Sequence, residues 1–383
     1  MALRLLGILL IWVHVLSALG HNDASLDEAL LVLKIDVMRR NNTVVVTSAN
    51  AGYLNHVGNL KCFLDKLGLR ALFLAMDDRA HEHVSTTLEL NSTFVSVSMV
   101  GAGNNETKKA RVRGATDAQR TQQIRSSPQS SLVVEEAAAD YHTHQFHIIT
   151  TRKIEAVLWV LSKGLDVFFI DSDVALLRDP FPYLLKPTTA NYIFTSNKMC
   201  PITSGPSVDL LNPLDEGNTG VFYARSTPGV RALLAATIAA APSFPGLDDQ
   251  SIFWRVVRRK SAGHKVTMLA SCDVNNSSSI GADVTMCPLD ECSFSVGALR
   301  GDGSAFASLQ KELRRRGTQA VTVHANWIKG NAAKAAALAK HGLWLVGDRR
   351  CASIHAPAPA PGKCAGCGGG GGAFFKRPEG TGR

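Results

Sequence analysis

The chain has 383 residues, of which 45% are hydrophobic and 19% charged, enough apolar material for one large α/β domain or two smaller ones. Its formal charge is +9, but the basic residues are scattered, with the densest runs at Arg258-Arg259-Lys260 and Arg314-Arg315-Arg316. No aromatic-interleaved basic strip or zinc-finger spacing accompanies them, which argues against nucleic acid as a partner and leaves room for an anionic nucleotide.

Met1-Ala2-Leu3-Arg4 precedes an apolar run from Leu5 to Leu19. One positive charge ahead of such a run is a secretory signature, and Ala18-Leu19-Gly20 offers a cleavage site. The run is short for a membrane span of about 20 residues. Residues 1–20 therefore read as a cleaved signal peptide or a short signal anchor. Both put the rest of the chain in a secretory lumen or outside the cell, as a secreted or type II membrane protein. Sequons at Asn41, Asn91, Asn105, Asn275 and Asn276 agree with that route, as does an even complement of eight cysteines. Cys272, Cys287 and Cys292 lie close together in a polar insertion that a disulfide could staple, with the connectivity open.

Residues 21–42 have the spacing of a short amphipathic helical stem, with Leu26, Leu30, Leu33 and Val37 on one side. Thr43 to Thr47 is the first strand, Ser48 to Gly52 its turn, and Leu54 to Leu67 a helix stopped by Gly68. Ala71 to Ala75 is the second strand, running into Met76-Asp77-Asp78. This βαβ unit implies a parallel sheet. Thr93 to Val100 could form a strand, and residues 101–131 read as a polar insertion. A helix over Ile154 to Leu161 then feeds the stretch around which the chain is organised.

That stretch is Val167-Phe168-Phe169-Ile170-Asp171-Ser172-Asp173-Val174. Four large apolar residues predict a strand buried on both faces of a parallel sheet. Asp171 and Asp173 then stand at its C-terminal end, where open α/β sheets bind ligands. Residues i and i+2 of a strand share a face, so both carboxylates can address one cation, Mn²⁺ or Mg²⁺ by their oxygen chemistry. The alternative is a polar turn that merely ends a strand.

Further on, Asn191 to Thr195 and Val221 to Ala224 are strands, and Pro228 to Ala241 and Ser251 to Val257 are helices. Val321 to His324 is a late strand ending in histidine. Lys334 to His341 is a final helix. A catalytic domain over residues 43–348 would thus carry insertions at 101–131 and 270–292. Residues 349–383 are a Pro- and Gly-rich tail that cannot build a core.

Several ordered motifs resemble the nucleotide-diphospho-sugar transferases of glycosyltransferase family 77, among them plant and algal arabinosyl-, xylosyl- and galactosyltransferases. They are Asn50-Ala51-Gly52-Tyr53, Asp171-Ser172-Asp173-Val174, Leu177-Arg178-Asp179-Pro180, Asn218-Thr219-Gly220-Val221, Asp249-Gln250 and His324-Ala325-Asn326-Trp327 with Lys334. The resemblance implies a GT-A type fold: a Rossmann-like, mostly parallel sheet with helices on both faces. It implies a UDP-sugar donor, Mn²⁺ (or Mg²⁺), a glycan or glycoprotein acceptor, and transfer of a pentose or galactose with retention in the Golgi or another secretory lumen. An uncleaved N-terminal segment would add the membrane as a partner. It also implies roles: Asp171, Asp173 and His324 on the metal; Lys153 and Lys334 toward the phosphates; Thr47, Ser48, Asn50 and Asp77 at the nucleoside. Asn218, Thr219 and Gly220 would meet the donor sugar, and Asp249 and Gln250 would form the catalytic pair. Two rival expectations stand beside it. One is a haloacid-dehalogenase-like phosphatase with Asp171 as nucleophile, and the other a non-catalytic glycan-binding protein.

Overall fold

The computed structural model describes residues 23–88, 94–99, 143–201, 209–210, 212, 215–259, 265–272, 283–347 and 350–351. The N-terminal segment, the insertion at 101–131, residues 273–282 of the Cys-bearing insertion and the tail from 352 lie outside them, as do the sequons at Asn91, Asn105, Asn275 and Asn276. No helix among the described residues is long and apolar enough to cross a membrane.

The chain begins with α1 (Asp23–Arg39), β1 (Thr43–Ala49), α2 (Leu54–Leu67), β2 (Ala71–Ala75), the short α3 (Asp78–His83) and β3 (Phe94–Ser98). Gly68 ends α2 in the left-handed conformation at φ +60, which glycine adopts without strain. Then come α4 (His144–Ser162), β4 (Asp166–Ile170), β5 (Val174–Leu176), α5 (Phe181–Leu184), β6 (Tyr192–Ser196) and β7 (Gly217–Ala224). The remainder is α6 (Pro228–Ala240), α7 (Asp249–Arg258), β8 (Val266–Met268), β9 (Val284–Pro288), β10 (Phe294–Val296), α8 (Ser304–Arg316), β11 (Thr322–His324), α9 (Asn331–Lys340) and the pair β12 (Val346–Gly347) and β13 (Arg350–Cys351). Side-chain caps start several helices: Thr143 accepts from Phe146 N–H, Thr227 from Val230 N–H ahead of Pro228, and Asp248 from Ser251 N–H.

Eight strands form the main sheet in the order β3-β2-β1-β4-β7-β6-β9-β8, and three more form a second sheet, β10-β11-β5. β7 runs antiparallel to both neighbours, while the other pairs of the main sheet are parallel. The strand at Val167 is thus fully buried as its composition predicts, but only its β1 neighbour is parallel. An apolar run reports burial on both faces and is silent about a neighbour's direction.

Alternation along the strands divides the apolar residues between two layers. Val44, Val46, Leu72, Leu74, Val167, Phe169 and Phe222 face α1, α4, α6 and α7. Val45, Phe73, Phe168, Ile170, Ile193 and Tyr223 face α2, the second sheet, α8 and α9. The helix at residues 23–39 packs on the domain: its Leu26, Ala29, Leu33 and Val37 belong to the first layer. The sheet is therefore covered by helices on both faces, the expected α/β arrangement.

Among the described residues, the disulfides Cys62–Cys351 and Cys200–Cys292 bind distant segments, and Cys272–Cys287 closes a local one. The Cys-bearing insertion is stapled internally by the last and anchored to the end of β6 by the second.

Candidate active site

β4 ends at Ile170, so Asp171, Ser172 and Asp173 form the turn that leads into β5. The two carboxylates do not converge by sharing a strand face, as the sequence spacing suggests. They converge because the turn passes the chain from one sheet to the other. Asp171 N–H donates to Gly220 O at 2.7 Å in the main sheet, and Ala325 N–H donates to Asp173 O at 3.1 Å beside the second. β5 pairs antiparallel with β11 in the register that sets His324 opposite Val174. That register delivers an imidazole from 151 residues away to the acidic turn.

There His324 Nε2 stands 3.1 Å from Asp173 Oδ1 and 3.9 Å from Asp171 Oδ2. Ligand atoms of Asp171, Asp173 and His324 lie within 4.8 Å of one another, close enough to hold one ion. Two carboxylates and an imidazole could hold a divalent transition-metal ion, since imidazole nitrogen suits such ions better than Mg²⁺. Gly220 makes the approach possible. A Cβ at that position would stand 2.3 Å from His324 Cε1 and 2.5 Å from Asp171 Oδ2. The role of this glycine is room for the acidic turn and the imidazole.

Two lysines flank the cluster. Lys334 Nζ, from α9, lies 2.7 Å from Asp173 Oδ2. Lys153 Nζ, from α4, lies 2.8 Å from Asp249 Oδ2 and 3.6 Å from Asp171 Oδ1, and donates to Thr219 O at 3.3 Å. Burial acts to lower the pKa of each ammonium, but the carboxylates outweigh it and hold both above the ordinary lysine value. The two acids of the turn are held apart. Burial, reinforced by the neighbouring Asp173 charge, keeps Asp171 above the usual carboxylate range against the pull of Lys153. Asp173 is also desolvated, yet Lys334 and His324 together hold it well below that range. Burial raises Asp249 to about 6 despite Lys153. Within this cluster three carboxylates face two ammonium groups. With the imidazole neutral, as metal ligation requires, one net negative charge remains. A diphosphate alone would meet repulsion there, and a divalent cation reverses the sign.

β7 supplies the next wall. The β6–β7 register jumps between Phe194 and Thr195, from Phe222 to Asn218. This irregularity turns Asn218, Thr219 and Gly220 toward the cleft, as bulges beside functional sites do. Asn218 Nδ2 donates to Gln250 Oε1 at 3.3 Å, and Gln250 Nε2 donates to Glu216 Oε2 at 3.2 Å. Gln250 is thereby fixed in orientation at the start of α7. Glu216 was not among the residues singled out by motif. Its signal is its contact with Gln250 across 34 residues, which no local pattern carries.

Apart from Glu216, these groups line a cleft of about 330 Å³ together with Ser48, Tyr53 and Met76 from the first βαβ unit. Ser48 Oγ is buried without a hydrogen-bond partner among the described residues, a donor and acceptor available to a ligand. Of the residues expected to bind donor, Thr47, Asn50 and Asp77 do not line the cleft wall. Asp77 caps α3 and accepts from Ala51 N–H at 2.8 Å, so it fixes the turn after β1.

The sequence matches the model of the nucleotide-diphospho-sugar transferase family over residues 112–338, more than half of the chain. The chain belongs to that family. Nucleotide-diphospho-sugar transferases similar to it include a UDP-galactose:fucoside alpha-3-galactosyltransferase of Dictyostelium discoideum, 22% identical over 82% of this chain and 45% of that protein. A UDP-D-xylose:L-fucose alpha-1,3-D-xylosyltransferase of Arabidopsis thaliana is 27% identical over 55% of this chain and 53% of its own length. An arabinosyltransferase of the same plant is 26% identical over 30% and 18%. The chain thus spans about half, or less, of the curated relatives it matches. Among solved structures, the glycosyltransferase GlyE of Streptococcus pneumoniae TIGR4 aligns with a TM-score of 0.36 at 11% identity, over 73% of this chain and 53% of that one. At that level the likeness adds nothing to the topology described above. Family membership agrees with the glycosyltransferase family 77 resemblance of the ordered motifs. It favours the transferase expectation over the phosphatase one.

Proposed function

We propose that this protein is a metal-dependent glycosyltransferase that moves a sugar, a pentose or galactose, from a UDP-sugar to a glycan or glycoprotein acceptor with retention. The observation that carries the reading is the meeting of Asp171, Asp173 and His324 with Lys153 and Lys334 in one cleft. Asp171, Asp173 and His324 would hold a divalent cation, which when bound would supply charge neutralisation for a leaving diphosphate. Lys334 and Lys153 would turn from their carboxylates toward phosphate oxygens. Ser48 and Tyr53 would receive the nucleoside end. Asn218 and Asp249 would hold donor hydroxyls, and Gln250, oriented by Asn218 and Glu216, would face the anomeric carbon.

In the transfer, the bond from the anomeric carbon to the diphosphate oxygen breaks and a bond to the acceptor hydroxyl oxygen forms. The hydroxyl proton leaves with the diphosphate. Gln250 carries no carboxylate, and Asp249 is engaged by Lys153, so no unpaired acid in this set is poised as a covalent nucleophile. Retention, which the family resemblance implies, would then proceed through attack on the face from which the nucleotide departs rather than through a covalent intermediate.

The deciding experiment is a panel of UDP-sugars with the purified protein and Mn²⁺, reading UDP release and, with acceptor, the anomeric configuration of the product by NMR. Mn²⁺-dependent release from one sugar class with a retained anomer is expected. Absence of release from every UDP-sugar, with or without acceptor, would sink the reading. A secretory location follows from the N-terminal segment and is supported by three disulfides, which persist in oxidising compartments. Asn41 sits exposed in the turn before β1. Protein from its native cell should lose mass on glycosidase treatment.

A further inference from the structure

The cleft has one wall that the donor and metal do not use. Trp327 follows β11 and lines the same cleft, yet its backbone stands at φ +61, a conformation that bulky side chains rarely adopt. The other non-glycine residues at positive φ among those described are Asn41 and Asn42, a residue type that tolerates it. A tryptophan held there carries backbone strain, and such strain clusters at ligand clamps.

The surroundings are built to hold it. Gly297, itself at φ +68, leaves the indole its place: a Cβ there would lie 2.5 Å from both Cε3 and Cζ3 of Trp327 and 3.1 Å from Met199 Cγ. Asn326 Oδ1 accepts from Gly297 N–H at 2.7 Å, and Asn326 Nδ2 reaches Asn197 Oδ1 at 3.5 Å. The Cys200–Cys292 disulfide ties the segment carrying Met199 to the segment that leads through β10 to Gly297. Despite this support the ring is not covered. Trp327 is 40% exposed and Met199 44%, and the other exposed large apolar residues described, Leu31, Val32 and Met38, all lie on α1. A part-exposed indole that lines the cleft beside the amides of Asn197 and Asn326, with the thioether of Met199 near it, borders an interior lined by charge.

We propose that Trp327, seated on Gly297 beside Met199, is the platform on which the acceptor sugar stacks its apolar C–H face. This rests on the transferase reading and deepens it. The sugar class follows from the chemistry. A sugar ring presents one face of C–H bonds, which suits an exposed indole, and an edge of hydroxyls, which suits flanking amides. The donor's polar parts are matched deeper in, by Ser48, the lysines, Asn218 and Gln250. The acceptor arrives from solvent against a bound donor, so its wall must be the exposed one.

The test uses the full chain with Mn²⁺ and methyl α-L-fucopyranoside as probe, since two relatives carry a fucoside or fucose in their names. Binding is read by NMR through the indole N–H resonance that disappears in Trp327→Ala. Transfer is read with the UDP-sugar that gives most UDP release. The probe should shift that resonance. Trp327→Ala and Trp327→Gly should each raise the probe's KM about tenfold, while the donor KM moves much less. Glycine accepts positive φ, so Trp327→Gly should melt at or above the wild-type temperature. A ring kept only for packing would instead cost stability and leave the acceptor KM alone, and that outcome overturns the platform. So does a Trp327 resonance that ignores the probe. If the resonance shifts but no UDP-sugar is turned over, the platform stands and the transferase reading falls. Turnover with an unchanged acceptor KM in both variants keeps the transferase and removes the platform.

Discussion

The two sheets each deliver a group to the same cation-sized space, and they do so by different means. The eight-stranded sheet brings Asp171 at the end of β4, a fully buried central strand whose last residues are fixed on both sides. The three-stranded sheet brings His324 through register: β11 must lie against β5 with His324 opposite Val174. A slip of one residue would turn the imidazole to the other face. The acids differ in the same sense. Asp173 is tied to the second sheet's side of the cleft by Lys334 at 2.7 Å and His324 at 3.1 Å, and is held as an anion. Asp171 is desolvated and repelled by its neighbour, so its charge is expensive in the free protein. Asp173 therefore serves the fold and the ligand together, whereas Asp171 is kept for the ligand at a cost to the fold. Such divided interests are common where pKa values of adjacent acids are pushed apart.

The sharpest way to break this contrast is to neutralise each acid in turn. Asp171→Asn and Asp173→Asn should both lower Mn²⁺-dependent UDP release about a hundredfold or more, since each removes an anionic ligand. Their stabilities should diverge. Without metal, Asp171→Asn should stay within about 1 kcal/mol of wild type. Asp173→Asn should lose about 2–4 kcal/mol, because Lys334 is left without its nearest carboxylate. Urea titrations of the metal-free proteins measure both. Equal losses would show that the two acids are not differently committed.

Gly220→Ala attacks the junction itself. The added methyl must displace His324 or Asp171. UDP release should drop by some tens-fold, with a higher Mn²⁺ requirement, although both ligands remain in the sequence. Unchanged Mn²⁺ titration would mean that the two sheets tolerate separation. His324→Ala should be milder, about tenfold in release, and partly rescued by raising Mn²⁺. A His324→Ala protein whose Mn²⁺ dependence matches wild type would remove the imidazole from the metal.

The contrast also decides what the sequence could reveal. The main sheet was legible where a pattern is local: Leu54 to Gly68 and Ala71 to Ala75 lie where apolar spacing and a glycine stop predict them. β4 could be read from four apolar residues, and the Asp-Ser-Asp turn from its position after them. The short strands β5, β8, β9 and β10 could not. Each of β5, β8 and β10 has three residues, too few for a period, and they exist because neighbours hydrogen-bond to them. α8 was also missed, although its Leu309 and Leu313 have helical spacing, because little of its face is apolar. The bulge that presents Asn218 to Gly220, the disulfide pairings and the Glu216–Gln250 contact are likewise nonlocal. Lys153 could be named only through family resemblance, since nothing near it in sequence announces Asp249 at 2.8 Å.

A different readout, the pH dependence of stability, concerns that last pair, where burial and an ion pair oppose each other on one side chain. Asp249 is shifted upward, from an ordinary 3.8 to about 6, because desolvation outweighs the attraction of Lys153. The sign follows from proton binding. Between pH 4 and about 6 the folded protein keeps a proton on Asp249 that the unfolded chain has lost, so stability from this group is complete below about 4 and is lost as pH rises through about 6. Other carboxylates superimpose their own slopes, so the informative quantity is wild type minus Asp249→Asn. For the metal-free proteins, urea midpoints from pH 4 to 7 should give a difference that declines to about pH 6 and is flat above it. In the opposite case, with Lys153 dominating, the difference would climb as pH rises from about 3 and level off before 5, since the anion would then be the favoured form in the fold. That rise would place Asp249 with Asp173, as an acid the fold itself requires, rather than with Asp171.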